Sequence, residues 1–561
     1  MIEPSSKSPQ ARLRELLAVE KNELLVAVIY SAAIGLFTLV LPVAVQALVN
    51  TVALGNLLQP LALLSLLVFA ALAISGTLQG LRIYVVEHLQ RRVFVRISSE
   101  TIHRLLRAPA EAFDSHRGPE LVNRFFDVVT LQKSGATLLI DGLSVAMQSL
   151  VGMVLLAVYH PWLLGFDLLL LLAFLVVIFP LGSGAIPTSI NESKAKYALV
   201  AWLEETARSP RVFKSAEAMQ YSKQRTNELV SEYLHHRSGH FRILLRQILG
   251  GFGLHALASS LLLGVGGWLV IQRQLTLGQL VAAEIVVSLI LSGFSKLGKH
   301  LELYYDLVAA VDKLGYLQDL PDEPPGTERL PQTSNPAHLR FRDVSFAFGV
   351  GPALVSGVNW DIKPGQSTGL TGGHGSGKST LLDIIYGSRQ PTRGWIEIDG
   401  FDLRELDRAQ LRSQVALLRE GELFDGSVAD NVRLGRAVDS AEMRDALARV
   451  GLLEHCLQFP QGLDTRLTSD GSLLSSAQAI RLLLARALAG RPRLLLIDEA
   501  LDHLGDEPEV DAIFSVLFDP KAGWNLIVAS AQPGVLRRCS KVYEIRDGAL
   551  APLPAPLTPT T

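Results

Sequence analysis

Cysteine is almost missing from this chain: Cys456 and Cys539 are the only two in 561 residues. That excludes a disulfide-stapled scaffold and a cysteine-rich metal site. Charge is scarce as well, with Asp, Glu, Lys and Arg at 19% where an ordinary soluble domain carries about 25%. No sign dominates, because 52 Lys and Arg stand against 54 Asp and Glu. The formal net charge of -2 leaves no basic footprint, so a nucleic-acid partner is not expected. Disorder is excluded by the 49% of hydrophobic residues. What the chain does have is long apolar runs.

Those runs concentrate before about residue 310: Leu24–Val49, Leu61–Val86, Ala136–Val158, Trp162–Leu181, Ile248–Ile271, and Leu277–Leu291 with its continuation. A span takes about 20 apolar residues, because ~30 Å of hydrocarbon is crossed at about 1.5 Å per residue. Five runs meet that length, and the sixth is short before Lys296. Residues 87–133 hold eight Lys or Arg and residues 188–246 hold ten, whereas loops 50–60, 159–161 and 272–276 hold only Arg273. This asymmetry puts the two long loops, and with them both termini, on the cytoplasmic side. Leu89, Val93, Ile97 and Leu105 keep near-helical spacing, so the long loops read as helices continuing beyond the bilayer. Breakers at Phe113–Pro119 and Arg208–Arg211 mark where each excursion turns back.

Residues 1–320 therefore read as a transmembrane domain and 321–338 as a Pro-rich linker. From 339 to 551, short apolar strands alternate with helical stretches, the pattern of a soluble α/β domain. The Pro- and Thr-rich residues 552–561 read as a disordered tail.

Within the α/β domain, Gly372-Gly373-His374-Gly375-Ser376-Gly377-Lys378-Ser379, with Thr380 following, fits G-x-x-x-x-G-K-[ST] completely. The glycines let backbone N–H groups close around a polyphosphate. Lys378 reaches the terminal phosphates, the Ser379 hydroxyl is a Mg²⁺ ligand, and the next helix points its N-terminus at the anion. Ser367–Thr371 supplies the strand before the loop, and Lys378–Tyr386 the helix after it. Downstream, Leu494-Leu-Leu-Ile-Asp498-Glu499 is an apolar strand ending in two carboxylates. Asp498 is expected to hold Mg²⁺ through water, and Glu499 to orient or deprotonate the attacking water.

With six spans before one such domain, the chain from about Leu24 to Leu550 resembles the ATP-binding cassette exporters, as a half-transporter. The resemblance implies a membrane all-α domain fused to an α/β P-loop cassette that binds ATP and Mg²⁺ and works as a homodimer or heterodimer among membrane lipids. Phe113–Asp127 looks like the family's first coupling region and Glu205–Glu217 like the second. The membrane region and Leu277-Gly-Gln-Leu look most like the type I secretion branch, which implies a bacterial inner membrane. Phe348 stands where the family stacks an aromatic on adenine, with a strand aromatic packing in the core as the alternative.

The family's other loops are altered here. The signature segment, which faces the partner's nucleotide, reads Leu474-Ser475-Ser476-Ala477-Gln478 where the family has two glycines, and each added Cβ obstructs a close approach. The family's metal-touching glutamine aligns at Arg419 or Glu420, its D-loop aspartate at Gly505 and its switch histidine at Ala531. The binding set is intact and the coupling set is eroded. Two functions follow: an exporter half coupling ATP binding and weak hydrolysis to transport, or an ATP-binding regulatory or structural subunit beside an active partner.

Four ionisable residues fall in the apolar runs: Asp141, Asp167, His255 and Glu284. Such groups usually face a cavity or a partner. Glu284, about two turns into the last span, and Asp141 are the candidates for a translocation path. Asp167 reads either as structural or as snorkelling from its span's outer end, and His255 as a helix-packing residue. None of the four identifies a substrate.

Overall fold

The computed structural model describes residues 7–52, 58–114, 118–349, 351–468, 471, 473–504 and 508–553. Two compact units divide the chain, one of Met1–Ala108 with Ala112–Asp322, the other of Glu323–Thr561 with Pro109–Glu111.

The first unit is helical and contains six helical stretches long and apolar enough to cross a membrane. Two helices run far past the bilayer's need, Leu58–Arg107 with 50 residues and Ala216–Ile271 with 56. At ~1.5 Å per residue they reach about 75 and 84 Å. The expected continuation of the spans into the long loops is therefore present. The short sixth run is Leu277–Ser295, which turns at Lys296 and resumes as Leu297–Gln318. The first run is two helices, Lys21–Thr38 and Val40–Val52. Pro42 has no N–H to offer the carbonyl of Thr38, and the helix breaks one turn before the proline. Of the two turn-back regions, the second is a 3₁₀ turn at Val212–Lys214, between helices ending at Arg208 and starting at Ala216. In the first, residues 115–117 lie outside the described ones, and a short helix, Gly118–Asn123, follows.

The second unit holds twelve strands among the described residues. In chain order they are β1 (Leu339–Ala347), β2 (Ala353–Ile362), β3 (Ser367–Gly372), β4 (Arg393–Ile398), β5 (Phe401–Asp402) and β6 (Val415–Arg419). The rest are β7 (Gly426–Ser427), β8 (Arg466–Leu467), β9 (Leu494–Asp498), β10 (Asn525–Ala529), β11 (Lys541–Arg546) and β12 (Ala549–Leu553). Strands β2-β1-β4-β5 make an antiparallel sheet, and β12-β11-β3-β10-β9-β6 a second sheet that is parallel except for β12. β9 lies inside this sheet. Its Leu494 and Leu496 enter the core shared with β1 and β2, while Leu495 and Ile497 enter the core under helix Ser476–Ala489. Both faces are buried, so β9 reads as an unbroken apolar run.

Two boundaries move. The Pro-rich stretch 321–338 is packed rather than loose from Glu323 on. Leu330 and Ala337 are buried in the cassette core, and the backbone of Glu328 bridges to Leu406. The sheet also extends into the expected tail, because Tyr543 pairs with Pro552 and Val542 with Leu553. The rest of that tail, 554–561, lies outside the described residues. Cys456 is fully buried, which pushes its thiol pKa up to about 11. Cys539 is partly buried and is likewise pushed up to about 12.

Candidate functional site

The phosphate loop runs from the end of β3 into helix Lys378–Ile385, as its motif requires. Gly372 has φ +149° and Gly377 φ +102°. A Cβ on Gly372 would meet the Ile545 carbonyl oxygen at 2.6 Å and the Ser376 hydroxyl at 2.7 Å, so only glycine fits. Gly373, His374 and Gly375 form the exposed crest of the loop, while Lys378 and Thr380 are buried. Lys378 Nζ donates to the carbonyls of Gly372 at 3.0 Å and Gly373 at 3.3 Å, and it pairs with Glu499 at 3.2 Å. The predicted lysine and the predicted water-orienting carboxylate are thus direct neighbours. Glu499 adopts φ +55° immediately after β9, a backbone region that side chains seldom occupy.

Ser379 and Asp498, expected together, are together: the hydroxyl donates to Asp498 Oδ1 at 3.0 Å. The other oxygen of Asp498 is taken. Strand order sets β6 beside β9 with Arg419 opposite Asp498, and Arg419 Nε donates to Asp498 Oδ2 at 2.7 Å. The same guanidinium donates through Nη1 to Asp383 at 2.8 Å and through Nη2 to the Ser379 carbonyl at 3.1 Å. Burial works against the charge of Arg419, but the hydrogen bonds and fields of Asp498 and Asp383 outweigh it and raise its pKa. Arg419 therefore carries its charge at every working pH. Of the two positions where a metal-touching residue was expected, Glu420 lies half-exposed near His503, at 3.6 Å, and Arg419 is the one at the phosphate site. Ser379 and Asp498 are the oxygen donors that Mg²⁺ prefers. A fixed cation already bonded to Asp498 does not fit a divalent ion there, and sequence reasoning missed this contact.

Phe348 is about half exposed, and the Arg389 guanidinium lies 5.0 Å from its ring centre. In the signature segment, Ser475 caps helix Ser476–Ala489. It accepts from Gln478 N–H at 3.2 Å, and its own N–H donates to the Gln478 side chain at 2.9 Å. That reciprocal pair is a capping box, legible in the sequence as Ser-x-x-Gln. Leu474 precedes the cap, and Ser476 and Ala477 open the helix. Gly505 lies outside the described residues. Ala531 is exposed, and its N–H donates to Asp502 at 2.9 Å. Asp502 also bonds the Ser530 hydroxyl, which ties this turn to the chain after β9.

In the membrane unit, Glu284 and Asp141 are both exposed on their helices, and Asp141 sits in a π-helical turn, Leu138–Gly142. His255 Nδ1 lies 3.4 Å from the Leu291 carbonyl, a packing contact as expected. Asp167 is buried, and neither of its carboxylate oxygens has a hydrogen-bond partner among the described residues. Arg82, which the second apolar run contains and its hydropathy hides, is buried against the hydroxyls of Ser31 and Ser144.

Comparison with known proteins agrees with this anatomy. The ABC transporter transmembrane region matches residues 24–293, and the ABC transporter domain matches residues 355–502. The mycobactin import ATP-binding/permease protein IrtB of Mycolicibacterium smegmatis is 30% identical over 482 residues, 83% of this chain and 80% of that protein. Its counterpart in Mycolicibacterium thermoresistibile is 28% identical over 349 residues, and the chain spans 59% of that protein's length. The alpha-hemolysin translocation ATP-binding protein HlyB of Escherichia coli is 25% identical over 532 residues, 93% of this chain and 74% of that protein. A bacterial Atm1-family ABC exporter solved with ATP bound superposes with TM-score 0.81 at 20% identity, over 95% of both chains, a likeness of fold. With both regions matched in one chain and 30% identity to a relative along most of its length, the chain belongs to the ABC transporter family and has the build of an exporter half-transporter.

Proposed function

We propose that this chain is one half of a dimeric ABC exporter in a bacterial inner membrane, with its cassette and both termini in the cytoplasm. ATP binds the loop Gly372–Thr380, and the signature segment of a second half covers it. The observation that carries this reading is the complete phosphate loop with Lys378 held between two loop carbonyls and Glu499, on a chain that also has six spans. Closure of the two cassettes on ATP moves the helical extensions, and Glu284 and Asp141 are the residues proposed for the path. The named cargoes of the relatives differ, so the cargo of this chain is left open.

A second reading is favoured by one contact. Arg419 occupies Asp498, and Ser476, Ala477 and Ala531 stand where the family's coupling groups would be. A subunit so built binds ATP and turns it over negligibly, and it serves a more active partner by shifting the open–closed equilibrium. The deciding experiment is ATP affinity and turnover of the purified chain in lipid, alone and mixed with a candidate partner half, with Glu499→Gln as control. Glu499-dependent turnover by the chain alone supports the autonomous exporter. Tight binding with turnover only in the mixture supports the subunit.

A further inference from the structure

Three carboxylates at the phosphate loop are each matched by a cation of the chain. Glu499 pairs with Lys378, Asp498 with Arg419, and Asp383 with both Arg419 and Arg389. A divalent ion is drawn to a site by unmatched negative oxygens, and both oxygens of Asp498 are engaged. The guanidinium is also fixed in place. Its three nitrogens bond three different groups: Asp498 at 2.7 Å, Asp383 at 2.8 Å and the Ser379 carbonyl at 3.1 Å. A metal on the Ser379 hydroxyl and Asp498 Oδ1 would lie beside a permanent positive charge already bonded to the other oxygen of the same carboxylate.

We infer that Arg419 takes the place of the divalent cation, so that this chain binds ATP as the free polyphosphate, without Mg²⁺. The inference rests on the proposal that the Lys378 loop is an ATP site. A guanidinium and a metal do part of the same work, since both offset phosphate charge. In Arg419 three of the five N–H groups are engaged among the described residues, and the second N–H of each terminal nitrogen is the donor left for a phosphate oxygen. What the guanidinium does not do is accept a phosphate oxygen into a coordination shell. Lys378 and Arg419, bonded to the consecutive carboxylates Glu499 and Asp498, are two cations of this chain available to such a nucleotide. A neutral glutamine at position 419 would leave Asp498 unmatched and open to a metal.

The test is titration of the full chain, in detergent or lipid, with a fluorescent ATP analogue in excess EDTA and again in excess Mg²⁺. The expected result is two affinities within about threefold of each other. In Arg419→Gln, Mg²⁺ tightens binding about tenfold or more. Mn²⁺ with ATP serves as a second readout that needs no variant: electron paramagnetic resonance of the unaltered chain shows no protein-immobilised Mn²⁺. Tenfold tightening by Mg²⁺ in the unaltered chain, or immobilised Mn²⁺, overturns the inference and leaves the ATP site standing. Absence of binding under both conditions overturns the ATP site itself, and the inference with it.

Discussion

Asp498 and Asp167 are both buried carboxylates, one in the cassette and one in a membrane span, and their surroundings are opposite. Asp498 has each oxygen bonded, to the Ser379 hydroxyl and to Arg419, whereas Asp167 has neither. At the phosphate site the cassette pairs its own charged groups: Lys378 has three partners, and Asp498 two. An isolated buried charge is far costlier than a paired one. The difference teaches that internal pairing holds the cassette's charged groups in place before any ligand arrives. The membrane unit keeps a buried carboxylate with neither oxygen bonded among the described residues.

Substitutions at four positions break or sharpen that contrast. Lys378→Ala removes the donor at the centre of the loop and should weaken ATP binding about 100-fold or more, an effect of ~3 kcal/mol for charge-assisted bonds to phosphate. Equilibrium binding of labelled ATP reads it, and an unchanged affinity would sink the phosphate-site assignment. Asp498→Asn strips the partly buried guanidinium of one of its two carboxylates and should cost about 2 kcal/mol of cassette stability. Thermal unfolding of the purified chain measures it. A loss under 1 kcal/mol would mean that Asp383 alone holds Arg419.

Ser475→Ala should cost about 1 kcal/mol through the lost cap, and Ser475→Asp should restore most of that. If the Asp variant is as unstable as the Ala variant, the hydroxyl is not acting as a cap. The smallest effect has the opposite sign. Asp167→Leu removes an unpartnered polar group from a buried site and should stabilise the chain by ~1 kcal/mol, seen as a raised midpoint in the same unfolding assay. Destabilisation would show that the carboxylate has a partner after all, and the contrast would fail.

Much of this was legible in the sequence. The motif Gly372–Ser379 fixes a strand, a loop and a helix at once. Leu494–Glu499 announces a strand buried on both faces, ending in its functional pair. Ser475-x-x-Gln478 encodes a helix start. What stayed hidden depends on strand order. The contact between Arg419 and Asp498 joins residues 79 apart and exists only because β6 is the neighbour of β9. No local pattern carries that. Arg82 was hidden for another reason: one charge in a 26-residue apolar run barely moves the run's average, and only the packing shows Ser31 and Ser144 bonded to it. The Pro-rich stretch looked like a spacer because proline content reports backbone stiffness. It says nothing of where Leu330 and Ala337 are buried.

The burial of Cys456 and the partial burial of Cys539 make the chain nearly silent to thiol reagents. With thiol pKa values near 11 and 12, almost no thiolate exists at pH 7 to 8. A single new cysteine, at Ser209 just after helix Ala185–Arg208 or at Gly373 on the loop crest, would carry a spin label or fluorophore against a dark background. As a test of the proposed dimer, distances between labels on two copies could then be followed as ATP is added, in a chain with both native cysteines left in place.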